Sequence, residues 1–314
     1  MAITADRSPA PWQLALARIE GALPFLTERI AQALAQRSLR RLWTVHIRDF
    51  PFENMGLEHN PGLDAGELMR SWQAEERRDF LSWVSRRGPP PLAQAARLAL
   101  TAKAASESFA SGYQPADRAL ERLDALLPTS DPVATLVEMV GQLRTDEIEF
   151  LEGGSEVHAF AGATFDRPAP KGAAWAASLA VAMRSQLFGL GAAPLALAGL
   201  IPRSVFRPEP EDPIPALLGS AVATAARWAQ DDLESLHKGL AHGLERLAGR
   251  YASSHAPAAW ALLLGLGPLT RAELARVLKV TPRTASQVAR ALEQAGLIVP
   301  PALERPLQPA LPRR

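Results

Sequence analysis

Apolar residues recur three and four positions apart along almost the whole chain, and alternating runs of β-branched and aromatic residues are nearly absent. That spacing is the period of a helix burying one face, so an all-α fold is expected. Proline and glycine punctuate the pattern. A helix is expected from Ala65 to Arg87, capped by Asp64 and stopped by Gly88-Pro89-Pro90-Pro91, where fixed φ and missing N–H groups forbid continuation. The next begins near Leu92. Gln114-Pro115 opens a short helix ending at Pro128, and Ser130-Asp131-Pro132 opens one running to about Phe150, with proline in the first turn where its missing donor is harmless.

Between Gly153 and Lys171 the period dissolves, and Gly153, Gly154, Gly162, Pro168 and Pro170 predict a loop. Apolar helices are expected from Trp175 to Leu200, then a second loop from Pro202 to Pro215. The longest helix is expected from about Ala216 to Arg250, with Asp231, Asp232, Glu234, His237, Lys238 and Glu245 on a solvated face. Tyr251 to His255 reads as a hinge before a helix at Pro257 to Leu266 and two short helices. The chain thus divides into a helical domain over residues 1–250, a small domain over 251–299, and a proline-rich tail over 300–314 that is expected to be disordered.

Composition fits a folded chain of 314 residues, 47% hydrophobic and 21% charged. With no cysteine, a disulfide framework, thiolate metal sites and thiol nucleophiles are excluded, and a cytoplasmic location is expected. The first twenty residues lack the unbroken apolar core of a signal peptide, so no export is expected. The most apolar stretch, Gly172 to Ile201, holds Arg184 and Gln186 and is broken by Gly189, Gly191 and Pro194, which points to a protein core rather than a membrane. Net charge is +1, yet residues 268–314 carry eight basic and three acidic groups against 26 basic and 30 acidic in 1–267. Positive charge gathers at the C-terminal end.

In that basic segment, Leu269 to Leu292 resembles a helix-turn-helix of the winged-helix type. Thr270 and Glu273 form a capping-box pattern, and Thr281 precedes Pro282 as a second cap. On the second helix Ala285, Val288, Leu292 and Ala295 share one side, while Arg283, Gln287, Arg290 and Gln294 share the other. Arginine pairs with guanine, glutamine with adenine, and a major groove admits one helix. Double-stranded DNA is therefore the expected partner, met by Thr281, Arg283, Thr284, Ser286, Gln287, Arg290 and Gln294 of a homodimer; the competing reading is a solvated face on a packing hairpin. Lys279 stands where the turn usually has glycine. Pro300-Pro301 follow Leu297-Ile298-Val299 so closely that at most one strand of a wing is expected.

His158-Ala159-Phe160-Ala161-Gly162-Ala163-Thr164-Phe165-Asp166-Arg167, followed by the apolar run Ala173 to Leu190, resembles the HPFxxGNGR signature of the Fic family, AMP-transferring proteins that often end in a helix-turn-helix. Phe52-Glu53-Asn54 with Leu57 is similar to that family's inhibitory helix, with Asp49 where serine or threonine is usual. The resemblance implies a Fic-like core over 50–201, in which a histidine deprotonates a hydroxyl, backbone N–H groups cradle phosphates and an acidic residue holds Mg²⁺. The Gly-Asn-Gly run is missing, Pro168 and Pro170 lack donors, and Arg167 is one residue out of register. A degenerate site is expected, with His158 its one catalytic candidate and no cofactor. Uncharacterised bacterial proteins that carry a domain before a helix-turn-helix share this layout. Glu234-x-x-His237 and His242-x-x-Glu245 match carboxylate–histidine spacing on one helix, whereas a di-iron site needs facing helices, so no metal is expected. The expected function is transcriptional regulation through DNA, without enzyme activity; a Fic-type AMP transferase and a protein-interaction scaffold are the alternatives.

Overall fold

Among the described residues, proline in the first turn starts seven of the α-helices, and left-handed residues end α-helices at Ala104 and Lys279. The computed structural model describes residues 9–48, 65–108, 111–145, 155–160, 163–168, 172–190, 193–249, 251, 254–299 and 306–310. Within them run α1 (Pro11–Ala22), α2 (Glu28–Arg48), α3 (Ala65–Arg87), α4 (Pro90–Lys103), α5 (Gln114–Ala125) and α6 (Pro132–Leu143), the hairpin β1 (Ser155–Phe160) and β2 (Ala163–Pro168), and α7 (Ala173–Ala182). Then follow α8 (Ile214–Leu247), α9 (Ala256–Leu266), α10 (Arg271–Leu278), α11 (Pro282–Gln294), β3 (Ile298–Val299) and β4 (Gln308–Pro309). The protein is predominantly helical, and the two hairpins are its only sheets among the described residues.

The longest helix organises the others. α8 has 34 residues, about 51 Å at 1.5 Å per residue. Its buried positions Leu218, Val222, Ala225, Ala229, Leu233, Leu236, Leu240, Gly243 and Leu247 step by three or four residues, one continuous stripe. α1, α2, α6 and α9 pack on it, and α2 also packs on α4 and α9. A half-buried ion pair fixes the register of α2 on α8: Arg41 Nε and Nη2 each donate to Asp232 at 2.7 Å, with Arg37 4.0 Å away. At the centre lies α7, nine of whose ten residues are buried, as expected for a helix apolar all round.

Two sequence expectations in the middle of the chain are corrected. Residues 155–168 form a hairpin rather than a loop, because Ser155–Phe160 and Ala163–Pro168 pair antiparallel with Val157 opposite Asp166 and His158 opposite Phe165. Of the glycines and prolines that suggested a loop, Pro168 ends β2, and Gly153, Gly154, Gly162 and Pro170 lie outside the described residues. α6 ends at Leu143, short of Phe150, and residues 146–150 lie outside the described set, as do Asp64, Asp49 and Phe52 to Leu57.

The apolar stretch after α7 is largely non-helical yet buried. Buried irregular backbone needs hydrogen-bond partners, and two serines supply them. Ser38 donates to the Ala196 carbonyl at 3.0 Å and accepts from the Ala196 N–H at 2.6 Å; Ser178 does the same for Ile201, at 3.2 Å each. Arg184 escapes burial by reaching Asp124 through two bonds of 2.5 and 2.7 Å. Among the described residues, no helix is long and apolar enough to cross a membrane.

Candidate nucleic-acid interface

Local chemistry builds the C-terminal module. Thr270 accepts from the Glu273 N–H at 3.2 Å and the Glu273 carboxylate accepts from the Thr270 N–H at 2.8 Å, closing a capping box at the start of α10. Lys279 then adopts φ 54°, ψ 44°, the left-handed conformation the turn needs despite its Cβ. Thr281 caps α11 by accepting from the Thr284 N–H at 3.2 Å. Ala285, Val288, Ala289, Ala291 and Leu292 are buried, each large apolar side chain stabilising the seat by about 1.5–3 kcal/mol. Arg283, Gln287 and Arg290 are exposed on the opposite face and make no hydrogen bond or ion pair within the described residues.

A rudimentary wing follows, correcting the expectation of a single strand. Ile298 pairs with Pro309 and Val299 with Gln308, the Leu307 N–H donates to the Leu269 carbonyl at 2.8 Å, and the Ala310 N–H to that of Leu297 at 2.8 Å. Buried Leu307 anchors the return of the chain, so residues 306–310 of the expected tail belong to the fold. Proline hid this from the sequence, but Pro309 sits in an edge strand, where a missing donor is tolerated. Comparison of the chain with protein-family models, with curated proteins and with solved structures finds no match.

The module is fastened to the helical body at both ends. Lys103, at the end of α4, meets Glu273 at 2.5 Å, and Arg276 Nε donates to the Ala102 carbonyl at 2.9 Å, satisfying an end of α4 that lacks intrahelical partners. At the far end Arg246 of α8 donates to the Ala295 carbonyl at 2.8 Å, and the Tyr251 hydroxyl donates to Gln294 Oε1. Gln294, expected to face DNA, is therefore engaged by Tyr251. α9, assigned from the pattern to the small domain, packs between α2 and α8, and Trp260 on it donates to the Gly239 carbonyl at 2.8 Å. The break at Tyr251 to His255 thus joins parts of one core.

Of the remaining expected site residues, Thr281 is exposed, and Thr284 and Ser286 are half-buried. The Thr281 and Thr284 hydroxyls share a 2.9 Å hydrogen bond, so both are committed to the cap. His158 lies mid-strand in β1. Glu234 engages Gln230 at 3.3 Å and Lys238 at 3.9 Å along its own helix.

Sequence reading missed a second polar constellation. His46, Glu76, Tyr113 and Trp175 come from α2, α3, the turn before α5, and α7, and all four are buried. Trp175 Nε1 donates to His46 Nδ1 at 2.7 Å, which assigns the ring proton to Nε2, and Nε2 faces Glu76 Oε1 at 3.0 Å. The Tyr113 hydroxyl donates to the same oxygen at 2.9 Å. These bonds pin three helices together. Only the aromatic residues nearby, Trp43 and Phe80, hint at this cluster in the sequence.

Proposed function

We propose that this protein is a regulator of transcription that binds double-stranded DNA by laying the exposed face of α11 in the major groove. The observation that carries the reading is the contrast on one helix. α11 is capped, buried along one side and tied down at its C-terminal end, while Arg283, Gln287 and Arg290 extend from the other side with no partner among the described residues. A face used for packing would spend those groups within the molecule. From Arg283 to Arg290 is two helical turns, about 10.5 Å, the rise of about three base-pair steps.

The proposal includes a homodimer. One module with a short wing offers few phosphate contacts, and two modules set one turn of DNA apart, about 34–36 Å, double them on a pseudo-palindromic site. It draws nothing from the AMP-transferase resemblance. His158 lies opposite Phe165 in a paired strand, where inward N–H groups serve the ladder instead of a phosphate.

Selection of a random duplex library on the full chain tests the reading. Enrichment of a two-fold-related site, with affinity falling at least tenfold between about 50 and 200 mM salt, is expected. Recovery of no sequence, together with salt-independent retention of DNA, overturns it.

A further inference from the structure

Three cationic side chains from three helices converge beneath the start of the C-terminal module. Arg40 of α2, Arg77 of α3 and Lys103 of α4 line one cavity, closed on the other side by Trp43, Leu266 and Pro268. Its acidic neighbours are already engaged. Glu273 binds Lys103 at 2.5 Å and closes the capping box, and Asp232 is held by Arg41 through two 2.7 Å bonds.

The two arginines are poorly served. The bond from Arg40 Nη1 to the Gly265 carbonyl is long, at 3.5 Å. Arg77 lies 5.9 Å from the centre of the Trp43 ring and makes no hydrogen bond or ion pair within the described residues. Each guanidinium carries five donors, and a half-buried charge without an acceptor is costly. Burial pushes both groups down from the ordinary arginine range, and for Arg40 the Arg77 charge adds to that push while Asp232 opposes it; for Arg77 it is Glu273 that opposes.

We infer that this cavity binds a small, doubly charged oxyanion, a phosphoryl or inorganic phosphate group, gripped by Arg40, Arg77 and Lys103. The size fits that class. The cavity offers about 50 Å³ to the centres of water-sized atoms, and one water needs about 10–15 Å³, so there is room for about four oxygens and not for a nucleoside. Planar arginine forks match phosphate oxygens in pairs. The roof also fits: Gly267, at φ 92°, leaves open a position where a Cβ would stand 2.8 Å from Arg40 Cζ. That roof leads directly into Thr270 and α10, so an occupied site ties the body to the first helix of the module. The binding claim itself does not rest on the DNA reading.

The test is isothermal titration of the full chain with inorganic phosphate at constant ionic strength, in the absence of DNA. One-to-one saturable binding with a Kd of about 0.1–1 mM is expected, weakened about tenfold to hundredfold in Arg40→Gln and in Arg77→Gln. In phosphate-free buffer these variants should melt no lower than the parent, because each removes a half-buried cation whose burial outweighs the few partners it has; a purely structural arginine would give a lower melting temperature. Lys103→Gln, at the more exposed rim, serves if either variant fails to fold, and should weaken binding less. Glycerol phosphate as a second titrant distinguishes the source: equal binding identifies the phosphoryl group of a larger molecule, and rejection identifies free phosphate. No saturable binding to the parent chain overturns the inference, as does binding that survives both arginine substitutions or that is lost in Arg283→Ala/Arg290→Ala.

Discussion

The indole of Trp260 rests directly on Gly243: a Cβ added there would stand 2.0 Å from Nε1, inside any permitted contact. The absence of that carbon lets the indole reach the Gly239 carbonyl one turn away and seats α9 on α8. Gly243→Ala should therefore destabilise the protein by about 3 kcal/mol, through overpacking and a lost buried hydrogen bond. Thermal denaturation followed by circular dichroism measures this, and an unchanged transition would refute the account of the seat.

Asp232→Ala should cost about 2 kcal/mol, since it leaves Arg41 and Arg37 facing each other in a half-buried place without their shared carboxylate. Urea unfolding of Asp232→Ala and Arg41→Ala singly and together gives the coupling between them. Additive losses would mean the bidentate pair contributes nothing beyond packing.

Lys279 holds a left-handed conformation that a side chain disfavours. Lys279→Gly should raise stability by about 0.5–1 kcal/mol, the relief of strain exceeding the added freedom of the unfolded chain. Measured loss of stability would show that the lysine stem is making a compensating contact.

The proposed DNA-facing side of α11 makes a separable prediction. Arg283→Ala and Arg290→Ala should each weaken binding to a selected DNA site by about 1–3 kcal/mol and leave the helical circular dichroism unchanged, since neither side chain is buried. Gln294→Ala should alter stability more than DNA affinity, because its amide oxygen is held by Tyr251.

Acid should loosen the joint at α10. Burial pushes the Glu273 carboxyl up, but hydrogen bonds from Lys103 and Thr270 outweigh it and hold the group below the ordinary glutamate range. A carboxyl depressed in the folded state contributes stability above its unfolded value, about pH 4.3, and loses it as pH falls through the folded value. Glu273→Gln should flatten the acid limb of a urea-midpoint profile below that pH. A mutant profile that falls in parallel with the parent's would remove Glu273 from the account.

The legible part of this fold was the part with a local cause. Pro115, Pro132 and Pro282 stand in first turns, and their helices begin within a residue of where the pattern puts them. The polar face of α11 follows from a spacing of three and four residues and is exposed at Arg283, Gln287 and Arg290. Elements with a distant cause were illegible. Leu307 is held by Leu269, 38 positions earlier, and nothing near Leu307 but proline was there to read. His46 and Glu76, or Arg40, Arg77 and Lys103, meet only because α2, α3, α4 and α7 pack as they do, and each looks alone like a residue of a solvated face. The strands Ser155–Phe160 and Ala163–Pro168 were illegible for another reason: each is six residues long and lies in a stretch where glycine and proline are dense enough to read as a loop.

Arg246 at one end and Lys103 with Arg276 at the other clamp the C-terminal module against the helical body at two separated points. In a two-headed assembly the gap between heads is then a dimension of the body, as fixed as the length of α8. One extra base pair between half-sites turns the second by about 34–36° and shifts it by about 3.4 Å, and a head clamped at both ends is poorly placed to absorb either change. On the proposed reading, the protein would measure the interval between two half-sites as strictly as the bases within them.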